Sequence, residues 1–162
     1  MGNIGKYTKD KLISFEEDIA ECFNNAMIKS PVHLYYGNEE QIINVFNNVK
    51  SEDWIFCTWR SHYQCLLKGV PPDQIKQDIL NGKSITLCYP KYKIYSSAIV
   101  AGNIPIATGT ALDIKRKNLK NHVWCFVGDM ASETGTFFEN WKYAVNHDLP
   151  ITFIIEDNGK SV

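Results

Sequence analysis

A doubly wound α/β domain on a mostly parallel sheet is what this sequence predicts, and three observations predict it. Two apolar runs, Val123-Trp-Cys-Phe-Val127 and Ile151-Thr-Phe-Ile-Ile155, have the length and character of strands buried on both faces. Between them Phe137, Phe138, Trp141, Ala144 and Val145 recur at helical spacing. That makes one βαβ unit, and such crossovers are right-handed with parallel strands. The chain has 162 residues, 44% hydrophobic and 22% charged, enough for one packed domain over residues 1–162.

The elements follow in order. Leu12, Phe15, Ile19, Phe23 and Met27 mark one face of a helix from Lys9 to about Lys29, ended by Ser30-Pro31. Ile42, Ile43, Val45 and Phe46 place a second helix over Glu39 to Asn48. Trp54 to Thr58 is a short aromatic strand that delivers Trp59-Arg60-Ser61-His62 to its end. Pro71-Pro72-Asp73 opens a helix through about Leu80, and Gly82 stops it. Residues 83–97, irregular and rich in Tyr, Lys and Ser, read as a surface loop of the length kept for an active site. Pro105 to Leu119 is a helix whose basic end, Lys115 to Lys120, complements its dipole. After the strand ending at Val127, Met130 to Gly135 turns into the helix near 136–146.

Composition limits the partners. Lys plus Arg number 17 against 18 for Asp plus Glu, so no net field draws the chain to nucleic acid or an anionic membrane. Five scattered cysteines without a C-x-x-C pair argue against a disulfide framework or a zinc site. With no apolar segment of signal-peptide or membrane-spanning length, the expected location is cytoplasmic.

In open parallel sheets ligands bind beyond the carboxyl ends of the strands. Asp129 follows the first strand of the βαβ unit and Asn158 the second, while neighbouring strands lie only about 4.8 Å apart. A carboxylate and an amide carbonyl are hard oxygen donors, suited to a magnesium ion that shares its remaining positions with phosphate oxygens. Residues of these types also occur at strand ends simply because they bond turn backbone. Spacing alone leaves both readings open.

Gly128-Asp129-Met130-Ala131, then Glu139, Ala144, Leu149-Pro150 and Glu156-Asp157-Asn158 resemble the thiamine-diphosphate motif that opens with Gly-Asp-Gly and closes with Asn-Asn. The likeness is to the alpha subunit of the thiamine-dependent decarboxylase component of 2-oxo-acid dehydrogenases, in the transketolase-like superfamily. It extends along most of the chain. Phe15 to Phe23 resembles the family's first helix, His33-Leu-Tyr-Tyr-Gly-Asn-Glu39 its Gly-Gln-Glu segment, and Trp59-Arg-Ser-His62 its Tyr-Arg-x-His. Ile99 to Pro105 resembles the stretch that packs on the cofactor rings.

The resemblance implies a pyrophosphate-domain fold holding thiamine diphosphate and Mg2+. It assigns Asp129, Asn158 and the carbonyl of Lys160 to the metal, and Arg60 and Trp59 to the diphosphate. Gly128, Met130 and Ala131 would offer main-chain groups there, Ala98 and Val100 would meet the pyrimidine, and His62 would be either the titratable catalytic group or a hydrogen-bonded histidine that only supports Arg60. The other three histidines read as ordinary. The implied activity is decarboxylation of a 2-oxo acid with acyl transfer to lipoamide or another carbonyl. A beta-type subunit or pyrimidine domain would supply the activating glutamate, in a heterotetramer.

Three residues depart from the motif: Met130 stands in place of a Gly, Trp59 of a Tyr and Asp157 of an Asn. The chain also stops four residues past Asn158, where family members continue. The expectation is therefore a fragment, a split subunit or a degenerate copy, with apolar surface left exposed. The alternative is a noncatalytic or split transketolase-like module that serves assembly.

Overall fold

The computed structural model describes residues 7–159. It contains helices α1 (Lys9–Asn24), α2 (Glu39–Phe46), α3 (His62–Lys68), α4 (Pro72–Leu80), α5 (Asn103–Arg116), α6 (Asp129–Ser132) and α7 (Gly135–Asn146). The strands are β1 (Trp54–Cys57), β2 (Cys88–Tyr89), β3 (Ile94–Ser96), β4 (Val123–Gly128) and β5 (Ile151–Glu156). They form one sheet in the order β2-β3-β1-β4-β5. β1 pairs in parallel with both β3 and β4, and β4 with β5. Among the described strands only β2 runs antiparallel, against β3.

The expected β4-α7-β5 unit is present, with Val123 opposite Ile151 and Gly128 opposite Glu156. Alternation along the strands divides the core between two faces. Ile55, Cys57 and Phe126 pack under α1 to α4, while Phe56, Cys125 and Val127 pack under α5 and α7. Helices on both faces of a parallel sheet make the fold doubly wound.

Several expectations need correction. α1 stops at Asn24, well before Pro31, because Ala26 adopts φ 56°. The Ala26 N–H donates to the Phe23 carbonyl and the Met27 N–H to the Cys22 carbonyl, satisfying the helix end as a Schellman motif does. Met27 therefore lies outside the helix and is 57% exposed. Residues 83–97 are not an irregular surface loop. They hold β2, β3 and two turns of 3-10 helix, with Leu87 and Ile94 buried in the core. α3 was not expected, because its residues His62 to Leu67 are all buried and show no polar stripe. α5 begins at Asn103, whose side-chain amide donates to the Phe126 carbonyl at 2.8 Å. β5 is not buried on both faces: it is an edge strand, and Ile155 is 51% exposed.

Candidate functional site

Four parallel strands end on one edge of the sheet, and the chain reverses direction across it. From β1 the connection runs to β3 on one side, and from β3 it returns past β1 to β4 on the other. The crevice beyond β1 and β4 is thus a topological switch point, the usual ligand site of such sheets. The sequence builds the rim with similar turns. Thr58 Oγ1 accepts from the Arg60 N–H at 3.3 Å, Ser97 Oγ from the Ile99 N–H at 3.2 Å, and Asp157 Oδ1 from the Gly159 N–H at 2.9 Å. Such side chains mimic a backbone turn two residues on. Asp157, in the place of the motif's first Asn, is used in this way.

Arg60 and Asn158 line one cleft of about 400 Å3, together with Leu34 to Asn38 and Glu156. The guanidinium is anchored there, since Arg60 Nε donates to the Leu34 carbonyl at 2.8 Å. Asp129 is half-buried and begins α6, one residue past Gly128, which pairs with Glu156. It is therefore brought to the same edge as Asn158 by the register of β4 and β5. A Cβ added at Gly128 would meet nothing within 4 Å, so the missing side chain leaves open space at the rim. Met130 is 53% exposed and Ala131 is buried. Lys160 lies outside the described residues.

Beyond β3, Ala98, Ile99 and Val100 are exposed, Ile99 at 73% and Val100 at 56%. The turn that presents them is tight. Ala101 has φ 59°, and a Cβ at Gly102 would come within 2.9 Å of Ile99 Cβ. Two apolar side chains are thereby held out beyond the end of a central strand.

His62 is the expectation that the geometry does not support. Its ring is fully buried, with Nδ1 3.0 Å from Glu16 Oε1 and Nε2 2.9 Å from Ser84 Oγ. Both nitrogens are occupied away from the cleft. The arrangement ties α1, α3 and residue 84 together.

Other groups, next to the cleft lining or part of it, were passed over in the sequence. His33 is exposed, with its ring 5.9 Å from that of Trp59, and burial together with the Arg60 charge lowers its pKa. Behind the cleft, the Tyr35 hydroxyl lies 2.8 Å from Glu156 Oε1 and 2.9 Å from the Arg60 carbonyl. Gln64 Nε2 donates to the Tyr35 oxygen and, at 3.2 Å, to Glu156. Burial pushes the Glu156 carboxyl up to about 7, against the opposing pull of Tyr35, Arg60 and Gln64. The signal available in the sequence was only that Glu156 stands at the end of an apolar run.

The chain is 34% identical over 156 residues to the alpha subunit of acetoin:2,6-dichlorophenolindophenol oxidoreductase from Bacillus subtilis, covering 90% of this chain and 46% of that subunit. It is 29% identical over 162 residues to the pyruvate dehydrogenase E1 component subunit alpha of Porphyra purpurea, covering 90% and 47%. The chain thus spans about half the length of the curated relatives it matches. An X-ray structure described as a thiamin diphosphate-dependent enzyme isolated from Mycobacterium smegmatis superimposes with a TM-score of 0.51, at 16% identity, over 73% of this chain and 20% of that one. That likeness is one of fold. Residues 7–161 match the family described as dehydrogenase E1 component, and the chain belongs to that family.

Proposed function

We propose that this chain supplies the diphosphate-holding side of a thiamine-diphosphate site, in an enzyme that decarboxylates a 2-oxo acid and passes the acyl unit to an acceptor. The observation that carries this reading is the placing of Arg60, Asp129 and Asn158 at one sheet edge, at a switch point, in the order the family motif requires. When bound, thiamine diphosphate supplies the electron sink for loss of carbon dioxide, and the protein supplies position and charge. The residues present suit it: hard oxygen donors for Mg2+, a guanidinium for phosphate, and open space at Gly128.

Asp129 and the Asn158 amide oxygen would hold Mg2+, with the Lys160 carbonyl as a third donor. Arg60, anchored through Nε, keeps its terminal N–H groups for phosphate oxygens. Trp59 would flank the diphosphate, and Met130 and Ala131 would offer main-chain groups. Ala98 and Val100 would meet the pyrimidine, and residues 83–97 would lead into the active site. His33, held toward its neutral form, is the exposed imidazole suited to take up a proton here. A beta-type subunit completes the site with the activating glutamate in a heterotetramer, consistent with relatives named as alpha subunits. We place the protein in the cytoplasm, a reading supported by five free cysteines and by the absence, among the described residues, of a helix long and apolar enough to cross a membrane.

Calorimetry with thiamine diphosphate and Mg2+, on the chain assembled with a beta-type partner, tests the reading. Magnesium-dependent binding that disappears in Asp129→Ala supports it, and binding unchanged in that variant overturns the site. The second reading, an assembly module without cofactor, is favoured by Met130 in place of Gly. Absence of cofactor binding in the assembled protein would select it.

A further inference from the structure

Arg60 is held at both of its ends by two consecutive residues. Its Nε donates to the Leu34 carbonyl at 2.8 Å, and its own carbonyl accepts from the Tyr35 hydroxyl at 2.9 Å. The guanidinium carbon lies 6.0 Å from the centre of the Tyr35 ring, at the outer reach of a cation–π contact. Tyr35 itself has little freedom. It is 7% exposed, and its ring stacks on Tyr63 with centroids 4.5 Å apart and planes 10° from parallel.

The Tyr35 hydroxyl is where three segments meet. Besides the Arg60 carbonyl it faces Glu156 Oε1 at 2.8 Å and accepts from Gln64 Nε2. Its single proton thus has two acceptors in reach. Glu156 has a second donor, because Gln64 Nε2 also bonds it at 3.2 Å, and this releases the hydroxyl proton to the Arg60 carbonyl. Filling space does not need the hydroxyl, since a phenylalanine ring would stack on Tyr63 in the same way. A buried hydroxyl is costly unless bonded, and the bonds of this one run to Arg60 and Glu156 on the cleft and to Gln64 behind it. Glu156 ends β5 two positions before Asn158, and Arg60, Glu156 and Asn158 line one cleft.

We propose that Tyr35 is a positioning residue for diphosphate binding: its hydroxyl ties the Arg60 turn to the end of β5 and so fixes the guanidinium relative to Asn158 across the cleft. The proposal rests on the reading of that cleft as the diphosphate site. Without the tie the Arg60 carbonyl loses its donor, and a long side chain carried on a looser turn meets a phosphate oxygen less often.

Calorimetry on the chain assembled with a beta-type partner, titrated with thiamine diphosphate at saturating Mg2+, tests this as a double-mutant cycle. Tyr35→Phe keeps the ring and is expected to weaken binding about fivefold or more, the scale of one hydrogen bond. Arg60→Ala is expected to weaken it more. Adding Tyr35→Phe to Arg60→Ala should then change the affinity by less than about twofold, because no guanidinium is left to place. A role in folding alone would cost the same factor in both backgrounds. Should Tyr35→Phe fail to fold, Gln64→Leu leaves the tyrosine in place but takes the other donor from Glu156, which draws the hydroxyl proton away from Arg60, and the same pattern is expected. Wild-type binding that Tyr35→Phe leaves within about twofold, or a loss equal with and without Arg60, overturns the proposal while the diphosphate site stands. No binding by the wild-type assembly overturns the site itself, and the proposal with it.

Discussion

The two faces of the sheet are covered to different depths. Under α1 to α4, Leu12, Ile19, Leu66, Ile75 and Ile94 have no exposed surface, and Phe46 stacks on Phe126 with ring centroids 6.1 Å apart. On the opposite face α5 is equally well seated, but α7 buries only Ala144. Phe138, Trp141, Tyr143 and Val145 of α7 are 40–58% exposed, and Trp141 and Val145 line an apolar hollow of about 510 Å3 with Phe137, Phe153 and Ile155. Both faces carry the same kind of residue. Periodicity thus tells which side chains are apolar, whereas coverage depends on what packs against them. An exposed apolar surface of this breadth marks an interaction site or a tendency to associate.

The largest effects should come from the closed face. Phe46→Ala is expected to cost about 3–5 kcal/mol in urea unfolding, the usual range for emptying a packed aromatic site. A loss below about 1 kcal/mol would mean that the two faces do not differ as described. At the rim, Arg60→Ala should weaken diphosphate binding in the assembled protein by roughly 1.5–3 kcal/mol, the scale of a hydrogen bond to a charged group. Unchanged affinity would leave Arg60 with the Leu34 carbonyl as its only task.

A smaller effect concerns pH. Glu156 titrates at about 7 in the folded chain against a reference of 4.5, so between those values the folded state keeps a proton that the unfolded chain releases. Its contribution to stability is therefore greatest below about 4.5, declines as pH rises toward 7, and is flat above. Comparing wild type with Glu156→Gln across this window isolates the slope. A wild-type curve that rose more steeply than the variant's would reverse the assignment.

The smallest effects on folding belong to the open face. Trp141→Ala should change unfolding free energy by no more than about 0.5 kcal/mol, as exposed positions do. Its consequence should appear in sedimentation instead: the chain alone is expected to self-associate, and Trp141→Lys with Phe138→Glu to reduce that association. A wild-type chain that sediments as a monomer would remove the argument for an unsatisfied face.

The β4-α7-β5 unit was legible in the sequence because its strands are six residues long and its helix carries a dense apolar pattern. The positions of Asp129 and Asn158 at strand ends were legible once the strands were, whereas the roles given to them and to Arg60 came from the family resemblance. Short or fully buried elements were not. β2 and β3 have two and three residues, and α3 is apolar or buried all round, so neither period stands out. The end of α1 was misplaced because Ala26, a residue with no turn preference, takes the left-handed cap. The inner network was beyond reach for a different reason. Tyr35 and Glu156 are 121 positions apart and Gln64 and Glu156 are 92 apart, so only the folded sheet joins them. His62 was identified as important, but its two partners, Glu16 and Ser84, lie on distant segments that turn it inward.

The sheet's two margins give it a direction. At one margin β2 offers two residues and runs against its neighbour; at the other β5 offers six, parallel to β4. A two-residue margin has too few unpaired amides to recruit another strand, while a long one is a ready template. An added strand would therefore join at β5 and not at β2. In the same polarity it would bring its own carboxyl end to the rim where Arg60, Asp129 and Asn158 lie. Extending the sheet would then also lengthen the crevice beyond its strand ends.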